Sequence, residues 1–292
     1  MRGLRRCDHV GVGLLDLARR VGTVYGSTGK VAAVVAAGSV GRGLADGYSD
    51  LDLDVYWSRR PSDGDRLGVI SAVGGRLEQL WPYEPAEGEW AETYHVEDVQ
   101  VGISGYTTDW LASCIEDVVE RGDPDLFKQM RLAALNDGMT VYGESVVRLW
   151  RSRSRTYPDV LANAVVTEYL NPARLERFRQ RRALIARDDL VALRACLPGV
   201  TDMILGALCA INRILIQDPE FKWCAQLIDQ FRVAPSDLRD RLWAVANGPA
   251  VAAATILEDV LDEVLSIVDS ELPGTPLHHL RQALAGGRGQ RG

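Results

Sequence analysis

Ala37-Gly38-Ser39-Val40-Gly41-Arg42-Gly43-Leu44-Ala45-Asp46-Gly47-Tyr48-Ser49-Asp50-Leu51-Asp52-Leu53-Asp54-Val55 is the stretch on which the fold turns. Asp50, Asp52 and Asp54 alternate with Leu51, Leu53 and Val55. In a strand, alternate side chains point to opposite faces, so the carboxylates emerge on one side and the apolar chains enter a core on the other. Like charges on one face repel unless a counter-ion joins them. A divalent cation such as magnesium suits them, since it takes hard oxygen ligands, usually one or two carboxylates completed by phosphate and water. By geometry either pair, Asp50/Asp52 or Asp52/Asp54, is able to chelate.

The apolar run 31–37 before it reads as a buried strand that ends at Gly38. Without a Cβ, Gly38 lets a phosphate approach the backbone. The turn that follows offers N–H groups and the Ser39 hydroxyl to an anion. Metal-bridged phosphate in front of paired carboxylates is the arrangement for in-line displacement at phosphorus, with two magnesium ions expected.

Working outward, residues 10–25 and 108–121 have helical spacing, and so does 66–81. Residues 92–106 read as a hairpin turning at Glu97-Asp98, and 139–142 as one more strand closed by Gly143. The order predicts a mixed sheet covered by helices. Beyond about residue 145 strand patterns vanish, and prolines, Pro198 among them, punctuate segments of helical length. Residues 201–216 and 251–268 read as two long helices. The expected organisation is an α/β domain over 1–147, an all-α helical bundle over 148–285, and a flexible tail over 286–292.

The composition, 47% hydrophobic and 25% charged, fits a globular chain rather than a disordered one. A net charge of -7 disfavours nucleic acid as a partner. The exception is 148–187, where ten arginines face three acids. Arg174, Arg177 and Arg181 would share one face of a helix there, as a solvated surface or as a wall for a polyanion. Five cysteines form no C-x-x-C pair, and four histidines lack zinc spacing, so free thiols in a reducing compartment are expected. No apolar run follows the basic N-terminus, and 203–216 is too short to span a bilayer and contains Arg213. The expectation is a cytoplasmic protein without a membrane partner.

Gly38-Ser39 through Asp46, then Ser49-Asp50-Leu51-Asp52-Leu53, resembles the signature of the polymerase β-like nucleotidyltransferase superfamily. It is most similar to the small bacterial branch that includes antibiotic (aminoglycoside and lincosamide) nucleotidyltransferases. The resemblance implies an α/β nucleotidyltransferase domain followed by helices. It implies Gly38 and Ser39, with Arg42 and Ser49, as triphosphate contacts, and Asp50 and Asp52 as metal ligands. Lys222, in the helical part, is a further candidate for a phosphate.

The family supplies a third carboxylate from a later strand. Here that strand, 99–104, shows Gln100, Gly102 and Ser104 on the face opposite Val99, Val101 and Ile103. Asp54 is the first candidate to replace it, followed by Glu92 and Glu97. The expected reaction moves a nucleoside monophosphate, most simply AMP from ATP, to a hydroxyl of a small acceptor and releases pyrophosphate. The alternatives are transfer to tRNA or a protein hydroxyl, supported by the arginine segment, and a nucleotide-binding protein with little transferase activity.

Overall fold

The computed structural model describes residues 4–286, and the side chains of 13–284. Cys7, His9 and the whole of the expected tail, 286–292, lie outside the described side chains. The chain forms two compact units. One comprises the residues up to Glu120 together with Phe127–Thr156, and the other Arg121–Leu126 together with the chain from Tyr157. Helix Glu144–Ser154, which straddles residue 147, belongs to the first unit.

The first unit is built on a six-stranded mixed sheet. Its strands are β1 (Val31–Ala36), β2 (Leu51–Trp57), β3 (Arg76–Leu80), β4 (Trp90–Val96), β5 (Val99–Thr107) and β6 (Met139–Tyr142), in the order β3-β4-β5-β2-β1-β6. β2 runs antiparallel to β1 and parallel to β5. The apolar halves of the strand alternation face one way: Leu51, Leu53, Val55 and Trp57 of β2 join Val101 and Ile103 of β5 and Tyr94 and Val96 of β4. They pack against Leu14, Leu17, Val21 and Tyr25 of helix Leu4–Ser27 and against Val69 and Ile70. That leaves Asp52, Asp54, Gly102 and Ser104 on the other face.

The expected helix over 66–81 is two elements. It starts earlier, at Ser62, whose hydroxyl accepts from the Asp65 N–H while the Asp65 carboxylate accepts from the Ser62 N–H, a reciprocal cap. It stops at Ala72, before Gly74 turns back at φ 73°. Arg76–Leu80 then pairs antiparallel with β4 as an exposed edge strand. Helix Leu126–Asp137, which the sequence reading left unassigned, supplies a residue of the site below. Helix Thr108–Ile115 continues into a wider π turn, Glu116–Glu120.

In the second unit every described element is a helix. Its longest apolar helix is Leu190–Ile211, which continues through Pro198 and ends at Ile211 rather than Ile216. By length and composition this helix is long and apolar enough to cross a membrane, and its nine consecutive positions from Met203 to Ile211 are buried inside the unit. Ala250–Glu271 packs along it, with Leu257, Leu261 and Val264 buried. Asn212, buried, closes the helix by donating to the carbonyls of Leu208 and Val233 and accepting from the N–H groups of Arg232 and Val233.

The arginine segment is divided between the units and is mostly committed internally. Arg151 donates to the carbonyls of Leu135 and Gly138. Arg153 meets Glu120 at 3.3 Å, and Arg174 meets Glu168 at 2.9 Å. Arg174, Arg177 and Arg181 do not share a helical face, because the chain there breaks into short turns, Pro172–Leu175 and Phe178–Gln180. Arg181 is buried and grips both oxygens of Glu258, at 3.0 and 2.5 Å. Of the cysteines, Cys114 and Cys209 are buried thiols and Cys196 and Cys224 are half-buried.

Candidate active site

β1 ends at Ala36, and Ala37 N–H donates to the Asp52 carbonyl at 2.9 Å. This ties the start of the Gly-Ser turn to the acidic strand. Gly38 takes φ 56°, a conformation that favours glycine. The space its side chain would need is occupied: a Cβ on Gly38 would lie 2.4 Å from Asp52 Oδ2. Across the parallel pairing, Asp52 sits opposite Gly102, where a Cβ would lie 3.2 Å from Oδ1. The Asp52 carboxylate is therefore cradled between two glycines.

The helical turn Gly38–Gly41 closes through Gly41 N–H to Ala37 O and Arg42 N–H to Gly38 O. The N–H groups of Gly38, Ser39 and Val40 precede those bonds, as at any helix start. Arg42 bends back, its Nε donating to the Gly38 carbonyl at 3.1 Å. Ser49 is occupied differently from the expected phosphate contact: its hydroxyl donates to Asp46 Oδ1 at 3.1 Å and accepts from the Asp46 N–H at 2.9 Å. It holds the turn that delivers Asp50, and Asp50 is exposed just before β2.

Asp54 is on the same face as Asp52 but in another environment. It is 2% exposed, and Arg131 of helix Leu126–Asp137 reaches its Oδ1 at 3.4 Å. Burial pushes its carboxyl up to about 6, against the pull of Arg131. Burial also works against the charge on Arg131, yet Asp54, Tyr106 and Glu89 together hold that guanidinium firmly protonated.

The acidic group that the sequence reading missed is Glu89. Arg131 donates to the Tyr106 hydroxyl at 3.1 Å, and that hydroxyl donates to Glu89 Oε1 at 2.7 Å. Trp110 stacks on the Tyr106 ring at 4.5 Å and backs this chain. Glu89 is presented by Gly88, at φ 65°, which lies so close to Trp110 that a Cβ would be 2.2 Å from its Nε1. The signal was the strand period: Glu89 falls two residues before Ala91, which pairs with Ser104 on the acidic face.

Glu92 and Glu97 are excluded as substitutes for the missing acid. Glu92 points into the opposite core, where Arg66 reaches its Oε2 at 2.7 Å and Tyr25 donates to Oε1 at 2.9 Å. Glu97 occupies the exposed hairpin turn at φ 56°, 3.8 Å from Arg20. Lys222 belongs to the second unit, exposed and flanked by Asp218 at 3.7 Å and Glu220 at 3.8 Å.

Among the described residues, no three His, Cys, Asp or Glu side chains gather as a metal cage. Asp50 and Asp52, beside the Gly-Ser turn, are still hard-oxygen groups of the kind magnesium takes, one or two at a time, with its shell completed by phosphate and water.

The fold is thus α/β, with an acidic strand end facing a Gly-Ser turn. No family model matches the chain, and no curated protein matches it. Among solved structures, a nucleotidyltransferase-like protein from Exiguobacterium sibiricum 255-15 is similar, at 12% identity over 92% of this chain and 86% of that chain, with a TM-score of 0.36.

Proposed function

We propose that the first unit is a magnesium-dependent nucleotidyltransferase that moves a nucleoside monophosphate, most simply AMP from ATP, to a hydroxyl of a small acceptor. The observation that carries this is the lodging of the Asp52 carboxylate between Gly38 and Gly102, 2.4 Å from where a Cβ on Gly38 would stand. It supports the reading because a carboxylate able to take a metal lies beside the backbone of a turn able to take a phosphate. Asp50 and Asp52 would hold magnesium, and Gly38 and Ser39 the triphosphate, with Arg42 bracing the turn. Bound magnesium supplies neutralisation of the leaving pyrophosphate and activation of the attacking hydroxyl.

Glu89 is the proposed proton acceptor for the acceptor hydroxyl. It is half-buried, shares the acidic face, and is oriented by Tyr106. Asp54 is less suited, because its carboxylate is enclosed and paired with Arg131. Pyrophosphate release with magnesium, ATP and a panel of hydroxyl-bearing small molecules tests the reading. Asp52→Ala should abolish release while circular dichroism stays unchanged, and transfer equal to the parent would refute the metal site.

A second reading, nucleotide binding with little transfer, is favoured by the charge neutralisation of Asp54. Magnesium-dependent ATP binding in calorimetry without turnover on any acceptor would select it.

A further inference from the structure

The loop that enters the acidic strand carries an aromatic ring that packs against nothing. Tyr48 is 100% exposed, whereas Tyr56 and Trp57, the next aromatic residues along the chain, are 0% and 1% exposed. The backbone beneath it is pinned. Asp46 Oδ1 accepts from the Tyr48 N–H at 2.9 Å and from the Ser49 hydroxyl at 3.1 Å, and the Ser49 N–H donates to the Asp46 carbonyl at 3.2 Å. An aromatic side chain carries roughly 150–250 Å² of surface to bury. Scattered exposed apolar residues are ordinary on a protein surface. This one is held on an ordered turn, two positions from the exposed carboxylate of Asp50.

We infer that Tyr48 is the stacking contact for the nucleobase of the triphosphate, an inference that rests on the proposed triphosphate site. With phosphates at Gly38-Ser39 and metal at Asp50 and Asp52, the nucleoside is the part of the ligand left without a partner, and Tyr48 stands two residues from Asp50. Every nucleobase offers a planar face, while a hydroxyl acceptor has no need of one. Stacking on an aromatic side chain tolerates any base, because all have such a face. Tyr48 therefore adds affinity for nucleotide over bare polyphosphate. Its ordered backbone lowers the entropy lost on binding.

Calorimetry with magnesium–ATP and with magnesium–tripolyphosphate, which lacks a base, tests this on the full chain. Tyr48→Ala should weaken ATP about tenfold, Tyr48→Phe should stay within about twofold, and tripolyphosphate should bind all three proteins alike. If the parent binds both ligands and Tyr48→Ala leaves ATP unchanged, the inference fails and the triphosphate site stands. Equal weakening of ATP and tripolyphosphate also overturns it, since the loop rather than the ring would then matter. A parent that binds neither ligand overturns the triphosphate reading itself.

Discussion

The Asp52 carboxylate fills the place of a side chain at Gly38: a Cβ there would stand 2.4 Å from Oδ2. The backbone of the turn and the acid of the strand are in this way one device. A change at either should move the other.

Gly38→Ala meets two penalties, the φ of 56° and the displacement of Asp52. The backbone part is worth about 1–2 kcal/mol. Gly43→Ala is the control, since Gly43 has φ 69° and open space around its Cβ position. Both variants should lose stability in urea, Gly38→Ala more than Gly43→Ala. Only Gly38→Ala should lose magnesium–ATP binding, by about tenfold or more in calorimetry.

Glu89 and Glu92 lie three residues apart on opposite faces of the sheet, so their variants should part cleanly. Glu89→Gln should lower kcat by about 10²–10⁴-fold, the range for loss of a general base, with the fold intact. Glu92→Gln should cost about 3 kcal/mol, because it removes the buried charge partner of Arg66 and leaves only the exposed carboxylate of Asp63. Its folded fraction should turn over at the parent rate. Steady-state kinetics beside urea unfolding separates the two.

Asp54 sets a pH dependence. Its carboxyl is raised from 3.8 to about 6 in the fold, so the folded protein binds a proton that the unfolded chain has already released. The Asp54 contribution to stability is therefore greatest below about pH 4 and falls as pH rises through about 6. Roughly two pKa units correspond to about 3 kcal/mol. A carboxyl titration followed by NMR should show the midpoint near 6. Arg131→Met should raise that midpoint further, because it removes the charge that pulls it down.

Arg181 and Arg182 are neighbours with opposite fates. Arg181 is 1% exposed and paired with Glu258, while Arg182 is exposed. Arg181→Ala should destabilise the second unit by about 3 kcal/mol. Arg182→Ala should change stability by no more than about 0.5 kcal/mol. Thermal unfolding of both variants checks the pair.

Much of the candidate site's backbone layout was legible along the chain because it is local. The alternation of Asp50, Asp52 and Asp54 with Leu51, Leu53 and Val55 states a strand and its two faces within six residues. Gly38-Ser39 after an apolar run states a turn. The edge strand Arg76–Leu80 was not legible, because Leu77 and Leu80 keep a helix-like spacing and only pairing with β4 decides the matter. Pro198 misled in the other direction. A proline removes one helical hydrogen bond, and the buried flanks of Leu190–Ile211 outweigh that loss.

By itself, then, the sequence determined which face of β2 is acidic and where the Gly-Ser turn begins, since both depend on side-chain period and on glycine within a few residues. Only the tertiary structure decided what surrounds each acid. Asp54 is neutralised by Arg131, 77 positions away, and Glu92 by Arg66 across the core. Glu89 is recruited to the acidic face by Tyr106, and Asp52 is seated against Gly102 by the parallel pairing of β2 with β5. The charge and reach of a carboxylate depend on what surrounds it, and those surroundings come from strands and helices distant in the chain.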